Sequence, residues 1–263
     1  MEVAKTDSKP MVVAPGSSFL TQQKAFSLNQ VPVVEIQIEP SARVVMHSDP
    51  HSPGADRFRF LRMGLRERWK AGGLKRLLIT SPLPGDGKST VALNLATTLA
   101  EHGKRSVLLI EGDLYHPTLA EVLGIPDCDG LADCLEDRLD PFLALRRVEP
   151  LSWYFLPAGK SKNNPTELLQ SERINEIMLK LSAYFDWILV DSPPIVPLSD
   201  ASLLLKHTDA SLLVVRADST PRESVEDALA LIGPKHALGI ILNAAEGLNR
   251  VYSKYYGYYG KKK

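Results

Sequence analysis

Ile79-Thr80-Ser81-Pro82-Leu83-Pro84-Gly85-Asp86-Gly87-Lys88-Ser89-Thr90 is the stretch that decides the fold. An apolar run over Leu74–Thr80 predicts a strand leading into it, and the pattern over Lys88–His102 predicts a helix leading out. A turn between such a strand and helix is where a phosphate-cradling loop forms. Gly85 and Gly87 let the backbone curl so that successive N–H groups face one anion. The helix starting near Lys88 points its positive dipole end at the same anion. Lys88 is placed to reach β and γ phosphates, and the Ser89 hydroxyl to hold a Mg²⁺. The general pattern G-x-x-x-x-G-K-[ST] asks for glycine at 82, where this chain has Pro82.

A triphosphate site also needs carboxylates, which open α/β sheets supply at the C-terminal ends of strands. Val107-Leu108-Leu109-Ile110 runs into Glu111-Gly112-Asp113, and Trp187-Ile188-Leu189-Val190 runs into Asp191-Ser192-Pro193-Pro194. The second has the apolar-run-then-Asp form that orders Mg²⁺ directly or through water. One such acid alone is an ordinary strand-end turn residue; two in this order after a phosphate loop point to a metal. Further strands are predicted over Ser152–Leu156, Ala210–Val215 and Leu238–Leu242. Helices are predicted over Thr118–Leu123, Gly130–Leu135, Ser171–Phe185, Ser199–Lys206 and Arg222–Ile232. Short strands rich in Ile, Leu and Val suit a parallel sheet buried on both faces. Their alternation with helices predicts an α/β architecture of the P-loop NTPase type, a mostly parallel sheet flanked by helices on both faces.

Three regions are expected along the 263 residues. Residues 1–50 read as a poorly ordered arm, with Gly, Ser, Pro and Gln scattered through it and Val31–Ile38 able to form an edge strand. Residues 51–248 form the P-loop domain, opening with a helix over 54–70. That helix puts Phe58, Leu61 and Leu65 on one face and Arg59, Arg62 and Arg66 on another. Residues 249–263 form a tyrosine-rich tail. Basic and acidic residues balance at 31 each, which argues against a protein that coats nucleic acid, and no nucleic-acid partner is expected. The two cysteines, Cys128 and Cys134, fit none of the usual zinc or redox spacings. Met1 to Pro10 is charged and lacks the apolar run of a signal peptide. The longest apolar runs are about six residues against the roughly 20 needed to span a bilayer, so a cytoplasmic protein is expected.

The tail carries Tyr252, Tyr255, Tyr256, Tyr258 and Tyr259, five of the chain's eight tyrosines. Glycines and lysines interrupt the cluster and aliphatic partners are almost absent, so it builds no core. Three readings are open: rings packed on the domain edge, stacking on single-stranded nucleic acid, or a run of phosphoacceptors. Each phosphate adds about −1.5 to −2 charges. Three of them would therefore reverse the sign of a tail that now carries five positive side chains. Tyr252 stands nine residues beyond Asn243, within about 30 Å of the last predicted strand.

Together these residues resemble the bacterial tyrosine kinases that govern capsular and exopolysaccharide export. The family's loop S-x-x-P-G-[DE]-G-K-S-T is matched by Ser81–Thr90, and its strand ending in D-x-P-P by Asp191-Ser192-Pro193-Pro194. Its D-x-D-L-R motif is matched, with departures, by Glu111-Gly112-Asp113-Leu114-Tyr115. Likeness continues at Leu156-Pro157-Ala158-Gly159, Asn164-Pro165-Thr166-Glu167-Leu168-Leu169, Asp200-Ala201 and Gly239-Ile240-Ile241-Leu242-Asn243. The resemblance implies an ATP- and Mg²⁺-dependent tyrosine autokinase. Pro84, Gly85, Asp86, Gly87, Lys88, Ser89 and Thr90 would hold the phosphates, and Asn243 would meet the adenine. Lys88, Glu111, Asp113 and Asp191 would be the catalytic set. Ser89, Asp113 and Asp191 would arrange the metal, and Glu111 would orient or deprotonate the acceptor hydroxyl. Tyr252, Tyr255, Tyr256, Tyr258 and Tyr259 would be the acceptors, delivered to a neighbouring subunit.

The family's oligomerisation motif E-x-x-R-x-x-R reads here as Asp56, Arg59 and Arg62, one methylene shorter at the acid. A homo-oligomer is thereby implied, as is a separate membrane activator of the polysaccharide-length-regulator type that draws the chain to the inner face of the membrane. Two departures stand out. Glu111 replaces the first Asp of the second motif, changing its reach by about 1.5 Å where positioning governs rate. Tyr115 replaces the usual Arg and removes a fixed positive charge. Partition- and septum-site-type ATPases are the main rival, but they carry a lysine near the start of the loop where this chain has Leu83. A second rival is a nucleotide-binding regulatory scaffold whose catalysis has lapsed through Glu111 and Tyr115.

Overall fold

The computed structural model describes residues 26–126 and 128–245, and the chain divides into two units, 1–30 and 31–263. The described part of the first unit contains one 3₁₀ turn, Leu28–Gln30. In the second unit the described strands are β1 (Val33–Glu35), β2 (Arg76–Thr80), β3 (Val107–Glu111), β4 (Arg146–Glu149), β5 (Trp153–Leu156), β6 (Trp187–Asp191), β7 (Ala210–Arg216) and β8 (Ala237–Asn243). The helices are α1 (Val45–Ser48), α2 (Pro53–Lys70), α3 (Lys88–Ala100), α4 (Leu119–Val122), α5 (Leu131–Leu135), α6 (Pro141–Ala144), α7 (Pro165–Gln170), α8 (Arg173–Ser182), α9 (Asp200–Leu205) and α10 (Arg222–Ile232).

The strands form one sheet in the order β1-β4-β5-β3-β6-β2-β7-β8, parallel at every described pairing except β4 with β5. Leu77, Leu78 and Ile79 of β2, with Leu108 and Leu109 of β3 and Ile188 and Leu189 of β6, are fully buried, as runs of branched residues in a covered parallel sheet should be. Helix α3 is apolar nearly all round because it lies between the sheet and α2. Helix α2 starts where Ser52 caps it: the side chain accepts from Ala55 N–H at 3.2 Å, and Pro53 occupies the first position, where its missing N–H costs nothing.

Three sequence expectations change. Residues 31–50, expected to lie within the arm, belong to the larger unit, and β1 adds to the sheet edge beside β4. Strand β4 has no sequence signature: Arg146-Arg147-Val148-Glu149 gains its strand character from β5 and β1, on either side of it. Strand β8 is not buried on both faces. It is the edge next to β7, and Ile240 and Leu242 remain 51% and 57% exposed.

The order of the central strands places the chemistry. β6 sits between β2 and β3, with Ile79 and Glu111 both in register with Asp191. The loop after β2 and the acidic ends of β3 and β6 therefore meet at one end of the sheet.

Candidate active site

The loop after β2 turns through Gly85 (φ +84°) and Gly87 (φ +92°), both left-handed, and delivers the chain into α3 at Lys88. Gly87 also leaves room for Asn243, because a Cβ there would lie 2.1 Å from Asn243 Nδ2 and would displace it. That amide donates to Asp86 O at 2.9 Å, so the end of β8 is fastened to the phosphate loop.

Lys88 Nζ lies 3.4 Å from Asp113 Oδ2, 4.0 Å from Asp191 Oδ2 and 3.4 Å from Ser89 Oγ. One amine thus faces a hydroxyl and two carboxylates from three separate segments. Asp191 is 1% exposed, and its Oδ1 has no hydrogen-bond partner. Burial pushes its carboxyl up to about 6, although Lys88 and Ser89 pull the other way. An orphaned buried carboxylate oxygen beside a hydroxyl and a second carboxylate suits a hard cation with oxygen ligands, and Ser89, Asp113 and Asp191 fit Mg²⁺.

Gly112 explains the spacing of Glu111-Gly112-Asp113. Its N–H donates to Asp191 O at 2.7 Å, and an added Cβ would meet that oxygen at 3.0 Å and Leu204 Cδ1 at 2.9 Å. The close approach brings the ends of β3 and β6 together. Thr80 Oγ1 donates to Pro193 O at 2.9 Å and Ile195 N–H to Ser81 O at 2.9 Å, binding the segment after β6 to the start of the loop.

Glu111 does not face this cluster as an open carboxylate. It is 1% exposed, Oε1 accepts from Leu119 N–H at 2.5 Å, and Oε2 accepts from Ala158 N–H at 3.2 Å. Burial raises its carboxyl above the ordinary range against the lowering effect of those amides. Its extra methylene carries the carboxylate to the first residue of α4 and the loop after β5, where it braces the backbone. In this structure both oxygens of Glu111, expected to serve the acceptor hydroxyl, are engaged by backbone amides.

Sequence reading also missed the braces of the loop. Asp86, expected to present backbone to phosphate, uses its side chain internally: Oδ2 accepts from Leu83 N–H at 3.1 Å and Oδ1 from Thr220 Oγ1 at 2.6 Å. Arg216 Nη1 donates to Gly85 O at 3.2 Å. No local pattern marks Thr220 or Arg216, whose roles exist only once β7 lies beside β2. Next to Asn243 a cavity of about 430 Å³ opens, lined among others by Arg43, Phe58, Thr90, Asn94 and Leu242.

Of the residues expected to join subunits, Asp56 and Arg59 pair with each other at 2.8 Å, and Arg59 also donates to Pro50 O. Arg62 Nη1 donates to Thr98 O at 3.3 Å. The tail tyrosines 252, 255, 256, 258 and 259 lie outside the described residues.

The family described as ParA: NUBPL iron-transfer P-loop NTPase matches residues 74–243. Tyrosine-protein kinase YwqD of Bacillus subtilis is 33% identical over 224 residues, covering 83% of this chain and 92% of its own. Several longer relatives of the same kind match over only 26% to 33% of their length. Among solved structures, the chimerical protein CapA2B2 aligns with TM-score 0.70 at 28% identity, over 82% of this chain and 95% of that one. The septum site-determining protein MinD of Pyrococcus horikoshii, complexed with Mg-ADP, aligns with TM-score 0.55 at 27% identity, over 65% and 72%. The sheet, the loop and these relatives agree: the fold is the ParA-type P-loop NTPase fold, and the chain belongs to the bacterial tyrosine-protein kinases.

Proposed function

We propose that this chain is an ATP- and Mg²⁺-dependent protein-tyrosine autokinase that phosphorylates its own C-terminal tyrosines between subunits and so regulates capsule or exopolysaccharide synthesis and export. The observation that carries the reading is the convergence on Lys88 of Asp113 and Asp191 at the mouth of a glycine-turned loop.

Loop amides from Gly85 to Thr90 and the Lys88 amine hold the β and γ phosphates. The cavity beside Asn243 takes the nucleoside. Ser89, Asp113 and Asp191 would hold Mg²⁺, which would supply positive charge against that developing on the transferred phosphoryl group. The acceptor tyrosine oxygen attacks the γ phosphorus, the bond to the β–γ bridging oxygen breaks, and ADP leaves. Asp113 takes the part first expected of Glu111 and orients the acceptor hydroxyl, whose proton it receives. Glu111 acts as a positioning residue that holds the segment carrying Asp113. Positioning and charge neutralisation are most of what phosphoryl transfer requires.

Among the described residues no helix is long and apolar enough to cross a membrane. The longer relatives place the matching segment within chains three to four times its length. A separate membrane activator of the polysaccharide-length-regulator type would then draw this cytoplasmic chain to the inner face of the membrane. Asp56, Arg59 and Arg62 would serve the homo-oligomer by exchanging their present intrachain partners.

Incubation of the pure chain with labelled ATP and Mg²⁺ tests the reading. Label on the tail tyrosines that disappears in Lys88→Met is the expected result. Phosphate release without protein label would instead favour a partition-type ATPase, and tight binding with neither would favour a regulatory scaffold.

A further inference from the structure

We infer that Tyr115 is the acceptor-recognition residue of this site, its ring a platform for the incoming tyrosine and the lysines beside it. The inference rests on the kinase reading. Tyr115 follows Asp113 by two residues, in a turn closed by His116 N–H donating to Asp113 Oδ1 at 3.0 Å. Its hydroxyl donates to Asn164 Oδ1 at 3.1 Å and lies 3.4 Å from Thr166 Oγ1. Those partners are themselves fixed: Asn164 caps α7 by accepting from Thr166 N–H at 2.9 Å, and Thr166 Oγ1 donates to buried Asp200 at 2.7 Å. The phenol is thus held at its tip by a network that ends in the interior, while the residue stays 42% exposed.

A ring fixed at its hydroxyl in a residue that stays part-exposed has already lost the freedom it would otherwise lose on binding. Aromatic pairs prefer offset or edge-to-face contact, a geometry such a ring accepts from another tyrosine. The same face attracts a lysine ammonium. The tail offers both, with Tyr252 and Tyr255 flanking Lys254 and Tyr259 close to Lys261. A guanidinium at 115 would repel that basic segment; a neutral ring does not.

The competing account is that Tyr115 only ties the segment after β3 to α7 through its hydroxyl. Kinetics of transfer from full-length enzyme variants onto a mass-tagged full-length Lys88→Met chain separate the two, with ADP affinity measured on each variant. Tyr115→Phe keeps the ring and is expected to keep the acceptor KM within about twofold, while Tyr115→Leu raises it about tenfold with ADP affinity unchanged. Equal losses in Tyr115→Phe and Tyr115→Leu would overturn the platform in favour of the tie, as would a wild-type KM in Tyr115→Leu. A Tyr115→Leu chain that loses ADP affinity is replaced by Tyr115→Gln, which keeps a polar tip but no ring, and for which an acceptor KM equal to that of wild type would also overturn it. Wild-type enzyme that hydrolyses ATP but labels no tyrosine would fail the kinase reading itself.

Discussion

Gly87 carries two separate constraints, and they are separable by mutation. Its φ of +92° disfavours any side chain, and its missing Cβ leaves room for the Asn243 amide. Alanine at 87 pays the left-handed strain, about 1–3 kcal/mol, and also pushes Asn243 off Asp86 O. ADP affinity is expected to fall at least tenfold and the melting temperature by several degrees, read by calorimetry. In an Asn243→Ala background the same Gly87→Ala change adds only the strain, so its further cost is smaller; an equal cost in both backgrounds would show that the Asn243 contact contributes nothing. At this scale the sequence was informative about which residues gather and silent about which way they face. Lys88, Asp113 and Asp191 come together because the strand order sets the loop after β2 beside the ends of β3 and β6. Glu111 does not, because its longer side chain reaches backbone amides that no local pattern announces.

At the scale of elements, one carboxylate ties the start of β2 to the start of β7 at the end of the sheet opposite the site. Asp209, just before β7, accepts from the backbone N–H groups of Lys75 and Arg76 at 2.8 and 2.7 Å and from the Arg76 guanidinium at 2.7 and 3.1 Å. Burial alone would raise its carboxyl, but Arg76 and the two amides outweigh it and hold it below the ordinary value. A carboxyl depressed in the folded state stabilises above its unfolded pKa and loses that stabilisation as pH falls through its folded pKa. Asp209→Asn is therefore expected to cost about 1.5–3 kcal/mol in urea unfolding at pH 7. The difference from wild type should shrink below the ordinary carboxylate range, and a gap constant with pH would refute the assignment. The central strands were readable because unbroken Ile, Leu and Val runs have one comfortable place, the covered middle of a parallel sheet. β4 was not, since two arginines and a glutamate flanking one valine form a strand only through pairing with β1 and β5. The exposure of β8 was equally invisible, because Leu238–Leu242 is as apolar as an interior strand and only the sheet order makes it an edge.

For the whole molecule, the question is whose tail enters whose site. The last described strand ends at Asn243, fastened to the phosphate loop, and Tyr252 follows nine residues later. That length reaches at most about 30 Å, and doubling back into the same loop would use most of it in a reversal. A neighbouring copy presents the same loop without the reversal, and the tail's five positive side chains would carry the first tyrosine toward a cluster built on Asp113 and Asp191. Two chains make this testable: a full-length Lys88→Met chain that has a tail but cannot transfer, and an active chain truncated after residue 248. Neither alone should become labelled. Mixed, they are expected to place label on the tail of the Lys88→Met chain, at a rate that rises with the concentration of the truncated partner and falls with salt, since screening weakens the attraction between tail and site. Label confined to full-length active chains, at a rate per molecule independent of dilution, would mean that each tail returns to its own site.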